Sequence, residues 1–152
     1  MSLIKRAADV AAELSARLSA IVKASGAETD IGVTVMRGRR KIDDSRIPCC
    51  VIVEGLDSPT MGKSNREPGM KVRQGYVLVA YDRCDPNHPN DKAHAMLRDL
   101  KRAIFHDGST LGERVIGVDY IGRDIGPRGD GVDIVSATIE IVVEYVESLQ
   151  SP

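Results

Sequence analysis

The stretch Val132-Asp133-Ile134-Val135-Ser136-Ala137-Thr138-Ile139-Glu140-Ile141-Val142-Val143-Glu144-Tyr145-Val146-Glu147 decides the fold. From Val135 onward the odd positions are apolar: Val135, Ala137, Ile139, Ile141, Val143 and Tyr145. The even positions carry Ser136, Thr138, Glu140 and Glu144, interrupted by Val142 and Val146. A period of two with this many β-branched residues predicts a long strand with one face in the core. The two even-side valines make the second face partly apolar, which predicts cover from elsewhere in the chain or from another subunit.

The remaining composition narrows the class. At 152 residues the chain is sized for a single domain, 1–150, with its own core. A net charge of −1 gives no bulk field for nucleic acid or a membrane surface. Aromatics are 3% of the residues, so the core is aliphatic and base-stacking platforms are not expected. Cys49, Cys50 and Cys84 are odd in number and two are adjacent, which is no disulfide framework and suggests a reducing cytoplasm. The first residues lack the apolar run of a signal peptide.

An amphipathic helix is predicted from Leu3 to Ser25, capped by Ser2, with Ile4, Ala7, Ala8, Ala11, Leu14, Leu18, Ile21 and Val22 at helical spacing. Gly26 follows as a left-handed cap. Ile31 to Arg37 alternates and reads as a strand. The basic turn Arg37, Arg39, Arg40 and Lys41 comes next, offset by Asp43 and Asp44. Cys49 to Glu54 is apolar on both sides, as a central strand would be. Its cysteines are explained by packing, since nothing nearby supplies the basic setting of a reactive thiolate.

Residues 55–70 have almost no apolar content and read as an exposed, mobile arm that includes Arg66. Gly62-Lys63-Ser64 resembles the tail of a phosphate loop, but Asp57 stands where the earlier glycine is required, so nucleotide binding is not expected. Lys71 to Asp82 is a second long strand, with Val72, Tyr76, Leu78 and Ala80 on one side and Val77, Val79 and Tyr81 on the other. Cys84, His88 and His94 match no zinc spacing, and a fourth ligand is missing. No metal or cofactor is therefore expected. His88 reads as a loop residue and His94 as a helix-surface residue.

A second helix, Asp91 to His106, is capped by Asn90 and buries Ala93, Met96, Leu97, Leu100, Ala103 and Ile104. His106 beside Asp107 has no nucleophile near it, and helix-end electrostatics account for the pair. Glu113 to Arg123 is a strand joined to the closing strand through Gly126-Pro127-Arg128-Gly129-Asp130-Gly131 as a hairpin. The order of elements predicts an α+β domain: a mixed, mainly antiparallel sheet of about five strands with both helices on one face.

The pattern resembles the tail terminator proteins of long-tailed bacteriophages, the minor tail protein family typified by lambda. The likeness rests on the opening helix, on Ile47-Pro48-Cys49-Cys50-Val51-Ile52-Val53-Glu54-Gly55, and on Tyr76-Val77-Leu78-Val79-Ala80-Tyr81-Asp82. The helix with its Leu97, Leu100, Ala103 and Ile104 stripe and the hairpin ending Ile139 to Tyr145 complete it. It spans most of the chain through packing patterns rather than a chemical signature.

The resemblance implies a phage or prophage assembly protein without enzymatic activity. It implies a ring, typically a hexamer, that caps the tail tube, stops its polymerisation and presents a head-joining surface. The implied partners are itself, the tail tube protein and a head-completion protein, with DNA as passing cargo and no membrane. The implied location is the host bacterial cytoplasm during assembly, then the virion tail. Arg37, Arg39, Arg40, Lys41, Arg66 and Arg128 are the expected subunit or lumen contacts. The alternatives are another small phage neck or tail-completion protein, a metal- or small-ligand-binding α+β domain built on Cys84, His88 and His94, and a monomeric partner domain.

Overall fold

The computed structural model describes residues 3–38, 42–59, 69–126 and 133–148. In chain order these form α1 (Ala7–Ser19), β1 (Val35–Arg37), β2 (Cys49–Pro59), β3 (Met70–Arg83), α2 (Pro89–Phe105), β4 (Gly117–Ile125) and β5 (Ile134–Glu147). The strands make one sheet in the order β1-β2-β3-β5-β4. β1 runs parallel to β2, and every other pairing is antiparallel. This is the α+β architecture that the sequence predicts.

Alternation along the two longest strands produces the layering. In β5, Val135, Ala137, Ile139, Ile141, Val143 and Tyr145 are all buried. The partner strand β3 buries Val72, Gln74, Tyr76, Leu78 and Ala80 on the same side, in a continuous register from Met70↔Glu147 to Arg83↔Ile134. Both helices cover that side. Val10, Leu14 and Leu18 of α1 and Met96, Leu97, Leu100 and Ile104 of α2 join one core with Ile52, Leu78 and Ile139.

Several boundaries differ from the sequence expectation, each for a local reason. The first helix starts at Ala7 rather than Leu3, with Arg6 at its N-cap and no side-chain cap. The Ile4 amide instead donates to the Arg114 carbonyl at 2.8 Å, tying the preceding segment to the β4 side. The helix ends at Ser19. Gly26, at φ 94°, closes a separate short turn at Lys23–Ser25. Ile31–Val33 is a 3-10 turn rather than strand. There the Gly32 amide donates to the Ile21 carbonyl at 2.9 Å. A Cβ on Gly32 would collide with the backbone that ends α1, so only glycine permits this approach.

The cap of α2 is His88, with Pro89 in the first turn, rather than Asn90. Proline suits a position whose N–H would find no helical partner. Glu113 does not begin a strand. Leu111, Gly112 and Glu113 have positive φ values of 49°, 68° and 67°, a tight turn that delays β4 to Gly117. Gly55–Pro59 and Met70, assigned from sequence to the arm, belong to β2 and β3. The Gln74 amide donates to the Gly55 carbonyl and holds that extension in place. The rest of the predicted arm, 60–68, lies outside the described residues.

Candidate functional site

The face of the sheet turned away from the helices carries the residues left over by the alternation. From β2 these are Cys49, Val51 and Val53, opposite Tyr81, Val79 and Val77 of β3. Across β3 they meet Ser136, Thr138 and Glu140, and further along Val142 and Glu144 of β5. One corner is covered. Met36, Cys49 and Val51 are buried beneath Ile42 and Ile47, from the segment around the turn at Asp44–Arg46. Beyond that corner Val77, Val79 and Val142 are only half-buried.

Toward β4 the same face turns polar. Arg73 donates to Glu144 at 2.9 Å and to Asp119 at 2.8 Å, linking β3, β5 and β4. These two carboxylates, Asp119 first, hold the guanidinium above its ordinary pKa. The group stands in solvent, so it patterns the surface more than it stabilises the fold.

Both lateral edges of the sheet are partly open. β1 pairs with β2 only from Cys50 to Ile52, and Gly38 donates once more to the Ile52 carbonyl. Among the described residues, no strand pairs with the outer edge of β2 beyond that point, nor with the outer edge of β4. Each edge strand contains a register break, between Glu54 and Asp57 in β2 and between Tyr120 and Gly122 in β4. Bulges of this kind twist an edge and discourage generic strand addition. Side chains at the bulges point out: Leu56 is 92% exposed and Ile121 52%.

Of the predicted contact residues, Arg37 is described. It ends β1 and pairs with Glu54 at 3.0 Å, with both side chains about half exposed. Arg39, Arg40, Lys41, Arg66 and Arg128 lie outside the described residues. The three residues considered for a metal stand in different settings. Cys84 is buried, His88 is exposed at the helix cap, and His94 faces solvent beside Arg123 at 3.4 Å. Among the described residues, no three His, Cys, Asp or Glu side chains converge as metal ligands would. No helix among them is long and apolar enough to cross a membrane.

Cys49 and Cys50 are buried and free, and burial pushes both thiols above their ordinary pKa. A thiol held protonated is a poor nucleophile, in keeping with a packing role.

The helix layer holds polar groups that sequence reading missed. Asp99, 3% exposed, accepts from the Glu28 amide at 3.1 Å, the Thr29 amide at 2.8 Å and the Thr29 hydroxyl at 2.6 Å. These bonds fasten the loop after α1 to α2. Arg17 reaches from α1 to both oxygens of Asp107, at 2.9 and 2.8 Å, and to the carbonyls of Ala103 and Ile104 at the end of α2. Glu13 accepts from Arg17 at 3.0 Å and from Arg114 at 2.7 Å. Hydrogen bonding to Arg17 lowers the Asp107 pKa, and Asp107 in turn raises that of Arg17. Both oxygens of Asp107 are thus taken up by Arg17 rather than by the neighbouring His106. A cavity of about 400 Å3 lies between the helices beside this cluster. Of the ionic groups that line it, Glu13 and Arg17 are paired with each other, Asp99 is held by Glu28 and Thr29, and Arg102 donates to the Gly26 carbonyl at 3.4 Å.

No protein-family model matches the chain, and a search of the curated proteins gives no match.

Proposed function

We propose that this chain is a non-enzymatic phage or prophage tail assembly protein that closes into a ring, of hexameric type, on the end of the tail tube. The ring ends tube polymerisation and offers a surface to a head-completion protein, with DNA passing through its lumen. The choice of a tail-tube end, and of the host cytoplasm and then the virion as location, follows the resemblance in sequence pattern. The observation that carries the docking role is the uneven cover of the sheet. One face is sealed by two helices, while the other leaves Val77, Val79 and Val142 half-buried. Both lateral edges are also short of partners. A layer finished on one side and unfinished on the other suits assembly with copies and partners.

The test is tube assembly in the presence of the purified chain. Tubes of limited length bearing a ring at one end are expected by electron microscopy. Tubes of unchanged length with bare ends overturn the reading. The basic residues Arg37, Arg39, Arg40, Lys41, Arg66 and Arg128 are proposed as ring-to-ring or lumen contacts. Reversing Arg39 and Arg40 to glutamate is expected to weaken capping or head joining at least several-fold. Normal capping by that variant removes the assignment.

A further inference from the structure

We propose that Asp107-Gly108, at the end of α2, is a latent site of backbone rearrangement to isoaspartate, and that Arg17 on α1 keeps it shut. The rearrangement follows separation of the two helices and does not depend on the ring.

Aspartate followed by glycine is especially open to this chemistry, because glycine has no side chain to shield its nitrogen. The sequence holds two such pairs, Asp107-Gly108 and Asp130-Gly131, and the second lies outside the described residues. In the rearrangement the Gly108 nitrogen attacks Cγ of the protonated Asp107 side chain. A C–N bond forms and a Cγ–O bond breaks. The hydroxyl oxygen leaves as water, carrying its own proton and the amide proton. The five-membered succinimide then takes up water at one of its two carbonyls. Opening at the side-chain carbonyl restores aspartate. Opening at the main-chain carbonyl leaves isoaspartate, in which the chain runs on through Cγ.

Packing does not protect the pair. Both residues are exposed, in the turn that follows α2. Gly108 has a φ of 101°. Apart from its chain neighbours, no heavy atom of the described residues comes within 4 Å of the place a Cβ on it would take. Bonding supplies the restraint instead. Arg17 holds the two oxygens of Asp107 with the two arms of its guanidinium, at 2.9 and 2.8 Å. Loss of water needs a protonated carboxyl, and the same bonds favour the ionised one. The Gly108 N–H, which the attack must give up, donates to the Phe105 carbonyl at 3.1 Å.

Arg17 is itself anchored across the helix pair. It donates to the carbonyls of Ala103 and Ile104 at 3.2 and 3.3 Å and to Glu13 at 3.0 Å. The fork therefore opens when α1 lifts from the end of α2. Isoaspartate adds a methylene to the chain and draws the carboxylate back onto Cα, so the original bonds to Arg17 do not re-form. The site would keep a lasting record of helix separation.

The test is incubation at neutral pH of wild type, Arg17→Gln and Ile139→Val, beside wild type unfolded in guanidinium chloride. Trypsin places Asp107 in a peptide of residues 103–114, separate from Asp130, and electron-transfer fragmentation identifies isoaspartate within it. Folded wild type is expected to form isoaspartate there at least about tenfold more slowly than the unfolded chain. Arg17→Gln, folded as judged by circular dichroism, is expected to lose most of that protection. Arg17→Lys keeps the charge but not the fork, and is expected to fall between the two. It also serves as the test variant if Arg17→Gln does not fold. Ile139→Val loosens the core without touching the fork and is expected to stay with the wild type. Folded wild type that rearranges as fast as the unfolded chain overturns the proposal. So does a folded Arg17 variant as slow as the wild type, or acceleration in Ile139→Val equal to that in the Arg17 variant.

Discussion

The two faces of the sheet come from the same alternating strands, yet they end in different environments. On the helix side, Leu78 and Ile139 are fully buried, as are Leu14 and Leu100 above them. On the other side, Val77 and Val79 are half-covered, and the neighbouring rows turn to Thr138, Glu140 and the Arg73 ion pairs. The helix before the first strand and the helix between β3 and β4 both pack on one side, while among the described residues the other side receives the segment around Asp44–Arg46. The helix face is where stability is made, and the open face is where little would be lost by change.

The sharpest way to break this contrast is to truncate its sealed side. Leu78→Ala is expected to cost about 2–5 kcal/mol in urea unfolding, because a cavity opens between helices and sheet. A cost near zero would mean that the helix layer is not the core. Removing the polar clamp within that layer comes next. Asp99→Ala leaves the amides of Glu28 and Thr29 and the Thr29 hydroxyl without their acceptor, and a loss of about 2–3 kcal/mol is expected. Amide exchange at residues 28 and 29 should accelerate in that variant, and unchanged protection there would count against the clamp.

A smaller effect concerns acid. Asp107 titrates below the ordinary carboxylate range in the folded protein because Arg17 is bonded to it. Its contribution to stability is therefore complete above the unfolded-state pKa, near 4, and is lost as pH falls through the lower folded value. Asp107→Asn should flatten the acid limb of the stability profile and leave its shape near neutrality unchanged. An acid limb as steep as the wild type's would show that the pair is not felt. The smallest effect is expected one residue from the largest: Val79→Ala, on the open face, should cost no more than about 1 kcal/mol. A loss equal to that of Leu78→Ala would mean that both faces are sealed in solution.

Strand alternation made the central pair legible from residues alone. The period of two assigned Val135 through Tyr145 of β5 to the buried side, where the structure has them, and grouped Val72, Tyr76, Leu78 and Ala80 of β3 on one side, which the structure shows to be the buried one. The stripe on α2 was equally readable. Asp99 was not, although it lies three residues after Met96 and next to Leu100 on the same buried surface. Its carboxylate is tolerated there only because a loop 70 residues earlier supplies three donors, and no local pattern announces such a partner. Ile31–Val33 misled for a similar reason: its alternation fits a strand, but a glycine-dependent approach to the end of α1 overrides it. Edge exposure was equally invisible. Leu56 looks unremarkable in sequence, and only the register break shows that it projects into solvent.

The strand order carries a consequence for synthesis. β5 lies between β3 and β4, so β4 has no strand to pair with while the ribosome has not yet delivered residues 134–147. The emerging chain can bring β2 beside β3, but the buried surface of α2 is still missing Ile139, Ile141 and Val143. Translation stopped before Ile134 would leave an incomplete sheet with a long apolar opening, a natural substrate for chaperones and proteases. Folding of this molecule therefore waits for the strand made after all the others described.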